Sequence, residues 1–175
     1  MAEYIKVYHN IPPLWAADSR VLVLGSFPSP KSREQKFFYG HPRNRFWPVL
    51  SAVFNEPVPQ TAEQKKELAL RHHIAMWDTI ASCEIKGASD TSIKHPVPND
   101  LKSIIDRSQI KAVFCTGAAS YKYYVKLCEK DTGIPAVCLP STSPANAAWT
   151  LERLCGEWES AVMPCFCGNP SNPQE

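Results

Sequence analysis

The chain contains the stretch Arg20-Val21-Leu22-Val23-Leu24, a short β-branched run that ends at Gly25. Three further apolar runs follow it, at residues 74–77 (continuing toward Ile80), 111–115 and 135–139. Short apolar runs bounded by glycine or proline are typical of buried strands in a parallel sheet. The sequence therefore predicts four buried strands.

Helical patterns lie between these runs and after the last one, over residues 61–73, 100–107, 118–129 and from 143 onward. Thr61 and Gln64 have the spacing of a capping box, in which each side chain accepts from the other's backbone N–H. Asn99 is placed to cap the second helix. Ser143 is placed to cap the fourth, with Pro144 in its first turn, where the missing N–H of proline costs nothing.

Strands that alternate with helices predict an α/β fold. Right-handed crossovers put helices on both faces of the sheet, so we expect a three-layer α/β/α sandwich with a central, mainly parallel four-stranded sheet. Ligands bind such sheets beyond the carboxyl ends of the strands. The segments that follow the four strands are therefore candidate site segments: 25–29, 78–79, 116–117 and 140–146.

The composition is that of one folded domain: 175 residues, 44% hydrophobic and 21% charged. We expect the domain to span residues 1–162 and residues 163–175 to form a flexible tail. Most of the seven cysteines lie in apolar stretches, which predicts reduced, buried thiols. The pair Cys165 and Cys167 has no second pair at metal-ligand spacing, so no metal site is predicted. No leader signal and no membrane-spanning apolar run is found.

Basic side chains concentrate between residues 31 and 45, although the net charge of the chain is only +2. The cluster consists of Lys31, Arg33, Lys36, Arg43 and Arg45. Clustered cations are where phosphate contacts are expected, and a solvated loop is the alternative explanation.

Aromatic and amide side chains occupy the same region, in the segment Phe37-Phe38-Tyr39-Gly40-His41-Pro42-Arg43-Asn44-Arg45-Phe46-Trp47-Pro48. Aromatic faces can stack on an unstacked base while arginines hold the neighbouring phosphates. We interpret Phe46 and Trp47 as core residues, and Tyr39 and Asn44 as site residues.

Two strand ends carry small or hydroxyl-bearing residues. The first strand leads into Gly25-Ser26-Phe27-Pro28-Ser29-Pro30, where small residues let a backbone approach a ligand; a structural turn would also explain this loop. The fourth strand leads into Pro140-Ser141-Thr142-Ser143-Pro144-Ala145-Asn146. Three hydroxyls at a predicted helix N-terminus favour an anion, with plain N-capping as the alternative.

These three segments, in this order, resemble the uracil-DNA glycosylase superfamily, and most closely its hypoxanthine-DNA glycosylase branch. The resemblance spans most of the chain, from about residue 20 to 159. It implies an enzyme that flips a deaminated base out of DNA and hydrolyses its N-glycosidic bond, without strand cutting. It also implies DNA as the partner, no cofactor, no metal, no membrane, a monomer, and a cytoplasmic, nucleoid-associated location.

The resemblance assigns roles to individual residues. Asn44 corresponds to the main catalytic residue of the hypoxanthine branch, Tyr39 stacks on the base, and Asp78 stands where uracil enzymes read the base with an asparagine. The implied base pocket consists of Gly25, Ser26, Phe27, Pro28, Ser29, Tyr39 and Asp78. DNA contacts are expected from Lys31, Arg43, Arg45, Ser141, Thr142, Ser143 and Asn146.

Two departures from the uracil enzymes favour the hypoxanthine branch. Phe27 stands where uracil enzymes carry an acidic or amide residue that activates water. The stretch Leu139-Pro140-Ser141 lacks the histidine that stabilises the leaving uracil. Both absences argue against efficient uracil excision.

Three alternatives stay open at this point. The first is a glycosylase that prefers uracil or xanthine. The second is a non-catalytic module that binds damaged or single-stranded DNA through the same aromatics and arginines. The third is a thiol enzyme built on Cys115 or Cys138 together with His72, His73 or His95.

Overall fold

The computed structural model describes residues 2–167. Within that part of the chain the strands are Ile5–Tyr8 (β1), Val21–Gly25 (β2), Ile74–Asp78 (β3), Ile80–Ile85 (β4), Lys94–Pro98 (β5), Ala112–Thr116 (β6) and Ala136–Leu139 (β7). The helices are Pro30–Gln35 (α1), Phe46–Val53 (α2), Ala62–Arg71 (α3), Leu101–Asp106 (α4), Ala118–Leu127 (α5), Glu129–Thr132 (α6) and Leu151–Val162 (α7).

The central sheet contains the four predicted strands, all parallel, in the order β3-β2-β6-β7. Strand β2 lies in the interior of the sheet, and its successive side chains point to opposite faces. Val21 and Val23 therefore enter a core covered by α2, α3 and α7, whereas Leu22 and Leu24 enter a core covered by α4 and α5. The predicted three-layer α/β/α fold is confirmed.

A second, antiparallel sheet in the order β1-β4-β5 is a feature that the sequence pattern does not predict. Strand β4 follows β3 after the single residue Thr79, so one apolar stretch supplies strands to two sheets. The N–H groups of Thr79 and Ile80 donate to the carbonyls of Gly25 and Ser26, at 2.9 and 3.0 Å. These bonds hold the second sheet against the loop that follows β2.

The helix starts agree with the sequence at one position and differ at another. Thr61 and Gln64 form the predicted capping box at the start of α3. Asn99 does not cap α4, because Asp100 performs that role with its own carboxylate. The Asn99 amide instead donates to the backbone carbonyl of Asp78, at 2.8 Å.

The fourth predicted helix begins later than expected. Helix α7 is capped by Thr150, whose hydroxyl accepts from the third backbone N–H of the helix, so the predicted start at Ser143 and Pro144 is wrong. Residues 143–149 form turns, in which the N–H groups of Asn146 and Trp149 donate to the carbonyls three residues earlier. Arg45 also donates to three backbone carbonyls of this segment.

The chain continues past α7 as a 3₁₀ turn over Met163–Cys165. The side chains of Met163 and Cys165 pack against the core. The ring of Phe166 lies edge-on to that of Phe54, with centroids 5.7 Å apart. The prediction of a flexible tail over residues 163–175 is therefore wrong for residues 163–166, which pack against the domain. Residues 168–175 lie outside the described part of the chain. Among residues 2–167, no helix is long and apolar enough to cross a membrane.

Candidate active site

A cavity of about 180 Å³ lies at the carboxyl ends of β2, β3 and β6. It joins the three segments that the sequence singled out. The predicted site residues among its walls are Gly25, Ser26, Phe27, Pro28, Ser29, Tyr39, Asn44, Asp78, Ser141, Thr142 and Ser143. The complete predicted base pocket and the predicted catalytic residue therefore share one cavity.

Gly25 and Asp78 are paired across the ends of β2 and β3, and both line this cavity. A Cβ atom on Gly25 would overlap Asp78 Oδ1, so only glycine leaves room for the carboxylate. Asp78 is only 6% exposed, and a carboxylate so far removed from water requires hydrogen-bond donors. His9 supplies one, because its Nε2 lies 2.7 Å from Asp78 Oδ2.

Asn44 reaches the cavity with a defined amide orientation. Its Oδ1 accepts from the backbone N–H of Phe46 and from the hydroxyl of Thr142, both at 2.9 Å. A backbone N–H can only donate, so the amide oxygen must be the atom held by Phe46. The NH₂ group is consequently the end of Asn44 that remains for a ligand.

Tyr39 presents an aromatic ring that is already covered on one face. Its ring stacks on Phe46, with centroids 4.0 Å apart and planes 13° from parallel. Thr116 donates its only hydroxyl hydrogen to a backbone carbonyl of β2, so the Tyr39 hydroxyl, 3.2 Å from Thr116 Oγ1, is the donor in their bond. Burial and the nearby charge of Asp78 raise the pKa of Tyr39, which stays a neutral phenol.

The backbone of Tyr39 is left-handed, with φ at +53°. An aromatic residue rarely adopts this conformation, and the strain is stored only where the surroundings enforce it. Here the stack on Phe46 and the bond to Thr116 hold the ring in place.

Asp90, from the connection between β4 and β5, also lines the cavity and is a residue that sequence reasoning missed. Its Oδ2 accepts from the hydroxyl of Ser26 at 2.8 Å. Burial raises the pKa of the Asp90 carboxyl, the bond from Ser26 opposes this rise, and the charge of Asp78 adds to it. No local sequence signal marks Asp90, because it reaches the site only through the second sheet.

The basic cluster divides into three groups in the structure. Arg33 lines the cavity, with its guanidinium 5.7 Å from the ring centroid of Phe27, although it was not among the predicted site residues. Lys31, Lys36 and Arg43 are exposed outside the cavity. Arg45 donates to the carbonyls of the loop after β7, which differs from the phosphate contact expected for it.

The hydroxyl loop after β7 is organised by its own side chains. Ser143 N–H donates to Ser141 Oγ at 3.1 Å, and the Asn146 amide donates to the Ser141 carbonyl at 2.9 Å. Because α7 begins only after Thr150, the hydroxyls do not lie at a helix N-terminus, and that expectation is wrong. Asn146 lies outside the cavity but lines an adjoining groove together with both serines.

The thiol alternative finds no support in the geometry. Neither Cys115, Cys138 nor the three histidines considered with them lines the cavity. Burial raises the pKa of the Cys115 thiol to about 12 and also raises that of Cys138. A reactive cysteine needs a lowered pKa, because the thiolate is the nucleophile.

Comparisons with known proteins agree with this arrangement. Residues 12–160 match the family described as the Uracil DNA glycosylase superfamily. The chain belongs to this superfamily. Two relatives named hypoxanthine DNA glycosylase match as well: the Methanosarcina acetivorans protein is 27% identical, over 88% of this chain and 97% of its own. The Methanosarcina barkeri protein is 31% identical, over 87% of this chain and 96% of its own.

A solved structure shows the same fold. It is the solution NMR structure of a proposed uracil DNA glycosylase from Methanosarcina acetivorans, which matches with a TM-score of 0.78. The match covers 93% of this chain and 99% of that chain, at 23% sequence identity.

Proposed function

We propose that this protein is a DNA glycosylase that excises hypoxanthine from DNA. One observation carries the proposal: a single cavity holds an oriented amide donor at Asn44, a buried carboxylate acceptor at Asp78 and a fixed aromatic ring at Tyr39. The names of the two Methanosarcina relatives support the same substrate.

Recognition of the base begins with its extrusion from the duplex, because an atom inside the base stack cannot be reached. The free face of Tyr39 stacks on the flipped purine. Hypoxanthine carries a hydrogen on N1, which Asp78 Oδ1 can accept. Adenine has a lone pair at N1 and would leave Asp78 Oδ1 without a donor, which penalises the normal base.

Bond cleavage places positive charge on the sugar and negative charge on the departing base. The Asn44 amide does not take up a proton near neutral pH, so it does not act as a general base. Because its oxygen is already occupied, its NH₂ donates to the developing charge on the purine. Removal of one such donor costs about 3–4 kcal/mol in other enzymes. Water adds its hydroxyl to C1′ and a proton to the base, which leaves an abasic site.

Phe27 supports the choice of hypoxanthine over uracil. Its ring is buried with Ile80, Cys83 and Ile85 in a small apolar cluster, and it offers no group that could activate water. The contribution of Phe27 to base binding is therefore steric.

DNA contacts outside the cavity are part of the same proposal. Exposed Lys31 and Arg43 are available for backbone phosphates. The hydroxyl loop over residues 141–146, which Arg45 holds in shape, is proposed to grip the strand beside the flipped nucleotide. We further propose that the protein is a monomer, which light scattering with and without duplex DNA would test. We also propose that it acts on chromosomal DNA in the cytoplasm.

The decisive experiment uses four duplexes that carry hypoxanthine, uracil, xanthine or no lesion, with chelator present and alkali cleavage of abasic sites. We expect strong cutting at hypoxanthine, reduced about a hundredfold or more by Asn44→Ala. Cutting mainly at uracil or xanthine would replace the proposed substrate. Binding without cutting on every duplex would replace the enzyme by a DNA-binding module.

A further inference from the structure

His9 is a histidine directly after β1 with a buried side chain, and the proposed function gives it no contact with the base. Its side chain is 3% exposed. The imidazole lies edge-on to the rings of Phe27 and Trp77, with centroids 6.1 and 6.2 Å away. Its backbone N–H donates to the Ala81 carbonyl at 2.7 Å, which anchors it to β4.

The hydrogen bonds of His9 determine its tautomer. The backbone N–H of Ile11 donates to Nδ1 at 3.2 Å, so Nδ1 carries a lone pair. A neutral imidazole has a hydrogen on one nitrogen, and that hydrogen must then be on Nε2. Because Nε2 lies 2.7 Å from Asp78 Oδ2, His9 donates and Asp78 accepts.

This bond leaves Asp78 with one oxygen for the cavity. Oδ2 is held by His9, whereas Oδ1 lies over Gly25, where a Cβ would overlap it. The backbone of Asp78 is held as well, because Asn99 donates to its carbonyl at 2.8 Å. The carboxylate therefore has a fixed orientation and presents an acceptor.

We propose that His9 is a positioning residue that sets base specificity by holding Asp78 as an oriented acceptor toward the ring N–H of the flipped base. The inference rests on the proposed function, since that function places the base against Asp78. Without the donor from His9, the carboxylate can rotate, and Oδ1 is no longer held toward the ring N–H of the base. A base with N1–H then loses a hydrogen bond that a base without this hydrogen never made, so the preference for N1–H would fall.

The test compares duplexes that carry hypoxanthine with duplexes that carry unsubstituted purine, whose N1 has no hydrogen. His9→Phe keeps a ring of similar shape and is expected to lower the hypoxanthine-to-purine ratio of single-turnover rates about tenfold or more. His9→Gln restores a donor and is expected to recover most of that ratio. His72→Phe is the matched control, because it makes the same substitution at a histidine whose 2.8 Å bond to the Glu56 carboxylate lies outside the cavity, and it should leave the ratio unchanged.

Two outcomes would overturn the inference. The first is an equal loss on both substrates in His9→Phe, which indicates a merely structural histidine. The second comes from a long-range ¹H–¹⁵N spectrum of the wild-type protein: we expect hydrogen on Nε2 and none on Nδ1, and the opposite tautomer would exclude the bond. If the wild type fails to cut hypoxanthine, the proposed function and the specificity role fail together, while the spectrum still decides whether His9 donates to Asp78.

Discussion

Replacing Thr142 with valine removes one hydroxyl from the candidate active site and keeps nearly the same side-chain shape. Thr142 is 1% exposed, and its hydroxyl donates to Asn44 Oδ1 at 2.9 Å. The substitution therefore tests whether the amide must be held by two donors to work. Asn44 still accepts from the Phe46 N–H in the variant, so no buried acceptor loses its last partner.

The size of the effect follows from that geometry. One neutral hydrogen bond with no orphaned partner contributes about 0.5–1.5 kcal/mol. Thr142→Val should lower the free energy of unfolding by that amount. If the bond serves the reaction only by orienting Asn44, the glycosylase rate should fall about two- to thirteenfold, well short of the hundredfold loss expected for Asn44→Ala.

Single-turnover cleavage of a hypoxanthine duplex measures the rate, and thermal unfolding of the same samples measures stability. Thr142→Ser is the matched control, because it keeps the hydroxyl and removes only a methyl group. Wild-type rates in Thr142→Val would refute the orienting role of the bond. A serine variant as slow as the valine variant would show that packing, and not the hydroxyl, is what matters.

Three further predictions concern the cavity and its surroundings. Gly25→Ala should reduce hypoxanthine cutting about tenfold or more in a folded protein, since its Cβ overlaps the Asp78 carboxylate; an active alanine variant would contradict this reading of the cavity. Burial raises the pKa of the Asp90 carboxyl, so its stabilising contribution is present below the unfolded pKa of about 3.9 and is lost as the pH rises through the folded pKa. Asp90→Asn should therefore raise the Tm at about pH 7 but not at about pH 3. An equal change in Tm at the two pH values would contradict this prediction. Arg43→Ala should make the negative slope of log affinity against log salt less steep by about 0.9, because one phosphate contact is lost. Arg45→Lys should lower the Tm and leave that slope unchanged, because Arg45 is bonded to the protein itself. If the Arg45 variant changed the slope and the Arg43 variant did not, their roles would be exchanged.

The two carboxylates of the cavity differ in their hydrogen bonds, and this difference suits them to different tasks. Asp78 receives its donor from an imidazole behind the cavity, which keeps one oxygen directed at the base. Asp90 receives its donor from Ser26 within the cavity wall.

The sequence alone determined those features that depend on neighbouring residues. Residues 21–24 are apolar on both faces of an extended chain, which is typical of a strand buried on both sides, and they lie in β2. Thr61 and Gln64 are three residues apart, so their capping box forms wherever the helix lies. The predicted cavity residues also met, because loops that follow parallel strands end at the same edge of the sheet.

Only the tertiary structure decided which side chains meet across long stretches of chain. His9 reaches Asp78 from 69 positions away and Asp90 reaches Ser26 from 64, because an antiparallel sheet packs beside the site, and no local pattern encodes that packing. The loop over residues 143–149 has the composition of a helix start, yet it forms turns whose carbonyls also accept from the distant Arg45. Local propensities amount to fractions of a kcal/mol up to about one per residue, and several hydrogen bonds from one half-buried guanidinium outweigh them.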